Sequence, residues 1–126
     1  MTMQVRVARP TSAFAATVAF YRELVKLPVL SEFADHSGFS GVIFGLPDAS
    51  RQLEIVSHED SEPAPTSEDQ LVLYLGSEPE VAAVADRLVA GGFELQSPAN
   101  PYWASDRARC FVDPDGYWLV LSPSSW

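Results

Sequence analysis

Several common features are missing from this sequence of 126 residues. It has one cysteine, Cys110, so no internal disulfide can form, which agrees with a reducing compartment. No apolar run approaches the roughly 20 residues that a membrane-spanning helix needs, and no signal-peptide pattern opens the chain. No zinc-type spacing of cysteine and histidine occurs either. We therefore predict one cytoplasmic domain, spanning residues 1–126, that does not interact with membranes.

Basic residues are scarce, because 8 Lys and Arg stand against 17 Asp and Glu and give a net charge of −9. A chain this acidic repels phosphate backbones and anionic membrane surfaces, so nucleic acid is not an expected partner. Part of the acidic charge lies in residues 59–69, which also contain two prolines. This composition is typical of a solvated linker.

The most informative stretch that is present lies near the C-terminus, between Phe111 and Leu121. Aromatic and β-branched residues flank the sequence Pro114-Asp115-Gly116 on both sides. Proline presets φ for a turn, and glycine accepts positive φ without a steric clash. The stretch therefore predicts a β-hairpin.

An earlier stretch repeats this pattern at about half the chain length. Phe44 and Phe111 are 67 positions apart, and so are Tyr21 and Leu88, which lie in predicted helices. Alternation and helical spacing predict the order βαβββ in each half, including a helix over residues 13–25 and a weak strand over residues 93–96. We predict an α+β fold with module one over about residues 1–58, a linker over 59–69 and module two over 70–126.

The doubled βαβββ order resembles the vicinal oxygen chelate superfamily, which contains glyoxalases, bleomycin-resistance proteins and extradiol dioxygenases. Phe20-Tyr21-Arg22 in the first helix and the hairpin from Phe111 to Gly116 carry this resemblance. It implies that the two βαβββ modules form one cupped mixed β-sheet, with the helices outside and a cavity inside. It identifies the fold better than the reaction.

The resemblance also indicates where metal ligands would lie, namely on the first and last strands of each module. These positions correspond here to Gln4 (or Arg6 in the other register), Glu54, Gln70 and Val120. Valine has no donor atom, and neutral amides bind divalent cations more weakly than imidazole or carboxylate. We therefore predict no cofactor; the alternative is a divalent metal held by Gln4, Glu54 and Gln70.

Glu54 has two interpretations. Successive side chains of a strand point to opposite faces, so Glu54 points away from the side of Leu53 and Ile55. If those two residues face the helix, the Glu54 side chain faces the cavity. There it would hydrogen-bond a ligand or act as a catalytic base. The other interpretation is an exposed glutamate on an edge strand.

His36 is the other candidate catalytic residue. His36 and His58 are the two histidines of the chain. It lies in a predicted turn beside Asp35, which could orient its ring. An ordinary turn residue is the alternative interpretation.

A second group of candidate ligand contacts is aromatic. Asn100, Tyr102 and Trp103 would form a lip at the cavity, and strand parity adds Tyr74 and Trp118 to its wall. Trp103 could instead cap the core or a subunit interface. The predicted ligand-binding residues are Arg6, His36, Glu54, Gln70, Tyr74, Asn100, Tyr102, Trp103 and Trp118.

These residues support two classes of function. The first is a protein that encloses a small, partly aromatic molecule and has lost its metal site, as the resemblance to bleomycin-resistance proteins implies. The second is a glyoxalase-like lyase, isomerase or dioxygenase that uses a divalent metal. The resemblance further implies a homodimer.

Overall fold

The computed structural model describes all residues from 1 to 126, which divide into two compact units, Met1–Pro63 and Ala64–Trp126. The predicted repeat explains this division, because both units place a helix after their first strand and end on a strand pair. In chain order the elements are β1 Val5–Pro10, α1 Phe14–Ala19, a π-helical turn Phe20–Leu24, β2 Val29–His36, β3 Phe39–Gly45, β4 Arg51–Ser57, β5 Gln70–Tyr74, α2 Glu78–Ala90, α3 Tyr102–Asp106, β6 Arg109–Val112 and β7 Trp118–Ser122.

The two sheets share one pairing scheme. In the first unit the order is β1-β4-β3-β2, with β1 parallel to β4 and β3 antiparallel to β4. In the second unit the order is β5-β7-β6, with β5 parallel to β7 and β6 antiparallel to β7. The α+β class and the duplicated arrangement of strands and helix are therefore confirmed.

The second unit departs from the prediction at residues 93–96. No strand forms there, and the only remnant is an isolated bridge between Gln96 and Cys110. Leu95 is 58% exposed, so its side chain is not buried against a sheet. In its place the chain forms the short helix α3, which the sequence did not predict.

The first helix also differs from the regular helix predicted over residues 13–25. It is α-helical only to Ala19 and then widens into a π-helical turn. Phe20 and Tyr21 are adjacent and both fully buried, and their rings contact each other edge-on at 4.9 Å. A wider turn changes the angle between neighbouring side chains, so two consecutive aromatic residues can both reach the core.

The core of each unit lies between its helix and one face of its sheet. Side chains at matching places in the two copies are buried, among them Tyr21 and Leu88, and Leu53 and Leu119. Ser77 caps the N-terminus of α2, because its Oγ accepts from the backbone N–H of Glu80 at 3.4 Å. No helix in the structure is both long and apolar enough to cross a membrane.

The predicted hairpin joins β6 to β7, and a buried carboxylate organises its turn. Asp113 is only 4% exposed, and its Oδ1 accepts from the backbone N–H groups of Asp115 (2.9 Å) and Tyr117 (3.0 Å). Gly116 has φ of 95°, and an added Cβ would lie 3.2 Å from Pro65 Cγ. The positive φ favours glycine there, and an added Cβ would in addition press against Pro65.

Candidate functional site

Arg6 and Glu54 form an ion pair on the sheet face of the first unit that points away from α1. Arg6 lies opposite Gln52 in the parallel register of β1 and β4, and its Nε donates to Gln52 Oε1 at 2.8 Å. Its Nη1 lies 3.5 Å from Glu54 Oε1. Gln52 is itself fixed, because its Nε2 donates to the carbonyl oxygen of Ala49 at 2.7 Å. The guanidinium is therefore held on two sides.

Glu54 does not lie on an edge strand, so that interpretation of the sequence is wrong. Strand β4 pairs with β1 on one side and β3 on the other, and the Glu54 side chain is 15% exposed. Its neighbours Leu53 and Ile55 are buried on the opposite face, as strand parity predicts.

Trp103 occupies the corresponding sheet face of the second unit. It is 7% exposed and packs in a cluster with Cys110 and Val120, to which the partly buried Val72 and Trp118 also belong. Of the two interpretations of Trp103, the core residue is thus the one found. Helix α3 places the Trp103 indole against the sheet, so this part of the sheet face is covered by the protein's own side chain.

A pocket of about 530 Å³ opens beside this cluster within the second unit. Its lining residues come from the start of β5 and from the loop before α3, and they are Ser67, Glu68, Gln70, Ala99, Asn100 and Pro101. The volume lies within the range of pockets that bind drug-sized molecules.

Two amide side chains in the lining of the pocket are held by hydrogen bonds to neighbouring residues. Gln70 Oε1 accepts from the indole Nε1–H of Trp103 at 3.2 Å, and Gln70 Nε2 donates to the carbonyl oxygen of Ser67 at 3.3 Å. Asn100 Oδ1 accepts from the backbone N–H of Tyr102 at 3.0 Å. The amide nitrogen of Asn100 thereby keeps both of its N–H groups for another partner.

The aromatic residues that the sequence singled out gather around Trp103. The ring centroid of Trp103 lies 5.0 Å from that of Tyr102 and 6.4 Å from that of Tyr74. Trp118 packs against the same cluster. Tyr74 also contacts the exposed Trp126 at 6.3 Å. The structure therefore brings together Gln70, Asn100 and all four predicted aromatic residues of the second unit.

A carboxylate that the sequence did not single out anchors α3 to the sheet. Asp106 ends this helix and accepts hydrogen bonds from the hydroxyl groups of Ser122 (2.6 Å) and Ser124. Ser122 is fully buried at the end of β7. Only the spacing of Ser122 and Ser124 at the end of the last strand could have indicated this contact, and such spacing is common at chain ends.

His36 is exposed at the end of β2, where Asp35 is exposed as well. The backbone N–H of Asp35 donates to Ser40 Oγ at 3.1 Å, which shapes the turn. A ligand-binding or catalytic role for His36 stays a prediction. The His58 ring instead packs against Phe39 at a tilt, with ring centroids 4.5 Å apart, and its Nδ1 accepts from the backbone N–H of Asp60 at 3.2 Å.

Cys110 is enclosed in the cluster beneath Trp103 and is 1% exposed. Burial raises the pKa of its thiol, because the apolar surroundings disfavour the thiolate. The thiolate is the reactive form, so a nucleophilic role for Cys110 is not supported by its surroundings.

The residues at the metal positions of the superfamily do not fit a tightly held divalent cation. Glu54 faces the Arg6 guanidinium, and the oxygen of Gln70 already accepts from Trp103. Gln4 precedes β1, where its Nε2 donates to the carbonyl oxygen of Ala49 at 3.3 Å, and Val120 is fully buried. No group of three or more His, Cys, Asp or Glu side chains is placed to hold a metal ion.

The strand order and the helix in each unit are those of the glyoxalase-like α+β fold class, to which solved glyoxalase and fosfomycin-resistance-type structures belong. Within that class, residues 5–56 match the YycE-like N-terminal domain and residues 68–123 the YycE-like C-terminal domain. The chain belongs to the YycE-like family.

Relatives agree with this assignment. The uncharacterized protein YycE of Bacillus subtilis is 37% identical over 123 residues, which cover 96% of this chain and 88% of YycE. The crystal structure of a YycE protein from Bacillus subtilis has a TM-score of 0.91 at 35% identity. That protein is described as being of unknown function and as a candidate glyoxalase or fosfomycin resistance protein. The match covers 99% of this chain and 92% of that chain.

Two more distant structures share the fold alone. The fosfomycin resistance protein FosX from Mesorhizobium loti has a TM-score of 0.74 at 12% identity, covering 99% of this chain and 94% of its own. TnmS3, an antibiotic binding protein from Streptomyces sp. CB03234, has a TM-score of 0.70 at 24% identity, with coverage of 97% and 95%.

Proposed function

We propose that this protein binds a small, partly aromatic molecule in the pocket of its second unit. The observation that carries the proposal is the cavity of about 530 Å³ with Gln70 and Asn100 in its lining. The Asn100 amide nitrogen and the remaining N–H of Gln70 would orient polar atoms of the ligand. Binding of antibiotics by a protein of the same fold, TnmS3, supports this class of function.

Each predicted contact has a defined role in this proposal. Asn100 and Gln70 would donate hydrogen bonds, and the half-exposed ring of Tyr102 would contact an aromatic part of the ligand. Trp103 and Trp118 would support the pocket from the core, with Tyr74 at its border. Arg6, Glu54 and His36 belong to the first unit, and we keep them as separate candidates for ligand contact.

Chemical-shift mapping with a library of small aromatic compounds would test the pocket. We expect compounds that bind to shift the backbone amide signals of residues 67–70 and 99–100 and the indole N–H signal of Trp103. Gln70→Ala should weaken binding by about tenfold, because it removes a hydrogen-bonding group and releases the indole that this group holds.

Gln96→Ala provides the matched control, since the Gln96 side chain donates only to the neighbouring carbonyl of Glu94. Its affinity for the same compounds should equal that of the unaltered protein. A library in which no compound shifts the pocket signals, or equal losses in both variants, would contradict the proposal.

The competing function, a metal-dependent lyase, isomerase or dioxygenase, makes an opposite prediction about metal content. The carboxylate of Glu54 faces the Arg6 guanidinium, and Gln70 Oε1 accepts a hydrogen bond from Trp103. Because these oxygens are not free to ligate a metal, we expect weak binding of divalent cations. Protein equilibrated with zinc, nickel or manganese and then desalted should hold far less than one ion per chain by elemental analysis.

Stoichiometric metal in the desalted protein, lost in Glu54→Gln, would favour the enzyme instead. Glu32→Gln is a suitable control, because it removes the same charge from an exposed position in the same unit.

We further propose that the protein is a cytoplasmic homodimer, supported by its single cysteine and by the exposed aromatic residue Trp126.

A further inference from the structure

The Arg6–Glu54 pair offers an amino group, Nη2 of Arg6, and an acceptor oxygen, Oε2 of Glu54, that the structure leaves unused. A guanidinium has five N–H groups, and here Nε–H is bonded to Gln52 while Nη1 faces Glu54. The Nη2 amino group makes no hydrogen bond or ion pair, and neither does Oε2 of Glu54. Arg6 is 48% exposed, so its donors are accessible to solvent molecules or to a ligand.

The pair is held in place before any ligand arrives. Gln52 fixes the guanidinium, and Glu54 projects from a central strand with 15% of its side chain exposed. Groups that are ordered in advance lose less conformational entropy on binding. The donor and the acceptor therefore form a preorganised arrangement rather than two mobile surface charges.

An apolar surface lies next to this pair on the same sheet face. Ile43 is the cross-strand partner of Glu54 and is only 8% exposed. Further along, Phe33 pairs with Gly41, and its ring covers the glycine so closely that an added Cβ would lie 2.5 Å away. A ligand bound at the ion pair could thus place an apolar or aromatic body against the partly exposed side chain of Phe33.

The net charge of the pair decides which polar group suits it. A carboxylate would gain from Arg6 but face Glu54, and an amidinium would gain from Glu54 but face Arg6. A carboxamide is neutral, and it carries an acceptor oxygen beside a donor N–H. It can therefore accept from Arg6 and donate to Glu54 at the same time.

We propose that Arg6 and Glu54 form a binding site for a carboxamide or lactam group attached to an apolar or aromatic body. In this site the guanidinium balances the carboxylate at a position where the superfamily places a metal ligand. The proposal concerns the first unit and goes beyond the function proposed above, which rests on the pocket of the second unit.

Three probes with the same aromatic ring test the site, namely benzamide, benzoate and benzamidine. They are titrated into the isotope-labelled full chain, and the amide signals of Arg6, Ile43 and Glu54 are followed by NMR. We expect benzamide to shift these signals with an affinity about fivefold above that of either charged probe. Shifts at residues 67–70 and 99–100 report the second unit separately, so the two proposals can fail independently.

Charge-changing variants sharpen the test. Glu54→Gln leaves Arg6 without its counter-charge, so benzoate should become the preferred probe. Arg6→Gln leaves Glu54 without its counter-charge, so benzamidine should become the preferred probe. Arg22→Gln and Glu32→Gln are matched controls, because they alter an exposed pair 3.8 Å apart in the same unit and should leave benzamide preferred.

The expected order of probes together with both reversals would establish the site. The proposal is overturned if benzamide fails to shift the signals of Arg6 and Glu54. It is equally overturned if the order of the three probes is the same in Glu54→Gln, in Arg6→Gln and in the control variants.

Discussion

Replacing Asp113 with alanine is expected to lower the free energy of unfolding by about 2–4 kcal/mol. The carboxylate is 4% exposed and accepts two backbone N–H groups, those of Asp115 and Tyr117, inside the turn between β6 and β7. Hydrogen bonds to a charged acceptor are stronger than neutral ones, and alanine provides no replacement for them. Urea unfolding followed by circular dichroism measures the loss.

Asp113→Asn should lose less, because its carbonyl oxygen can still accept from the same backbone groups. Asp86→Ala is the control, since Asp86 is exposed on α2 and its removal should change stability by no more than about 0.5 kcal/mol. An Asp113→Ala protein as stable as Asp86→Ala would show that the turn does not depend on the carboxylate.

Replacing Trp103 with alanine is expected to lower the free energy of unfolding by about 3–5 kcal/mol. The change leaves a cavity above Cys110 and Val120 and removes the hydrogen bond to Gln70. Because Gln70 lines the pocket of the second unit, binding of aromatic compounds should be lost as well. Thermal unfolding and NMR titration measure the two effects.

Trp103→Phe separates packing from hydrogen bonding. It keeps most of the buried ring but not the indole N–H, so it should lose only about 1 kcal/mol relative to the unaltered protein. Trp126→Ala is the control, because that side chain is 95% exposed and its ring lies edge-on to Tyr74. Equal stability of Trp103→Ala and Trp126→Ala would contradict the assignment of Trp103 to the core.

The parts of the fold that follow from local chemistry could be predicted from the sequence. Pro114 and Gly116 determine the hairpin through their backbone preferences, and the spacing between Phe44 and Phe111 indicated that the hairpin has an earlier copy. Neither observation depends on knowing which strands meet. The N-cap of α2 also depends on local sequence alone, because Ser77 Oγ accepts from a backbone N–H only three positions later.

The second copy of β2 could not be judged in this way. Residues 93–96 have the length of a short strand, but pairing depends on whether a neighbour buries them, and only Gln96 forms a bridge. Helix α3 was missed because its contacts are distant in sequence. Trp103 meets Gln70 from 33 positions away, and Asp106 meets Ser122 from 16.

The candidate site shows the same division. Strand parity placed Glu54 on the face opposite Leu53, and the structure confirms that placement. The sequence left open whether Gln4 or Arg6 occupies the first-strand position of the candidate site. Strand parity could not decide, because residues two positions apart point to the same face. Parallel pairing with β4 puts Arg6 beside Gln52, and this pairing brings a cation to the carboxylate.

The enclosed position of the single thiol makes the unaltered chain a convenient background for spectroscopic labelling. Since Cys110 is 1% exposed and burial raises its pKa, a maleimide dye or spin label will react with an introduced surface cysteine first. A probe can therefore be attached at the exposed Ser105, which follows the pocket residues in sequence, without first removing a native reactive group.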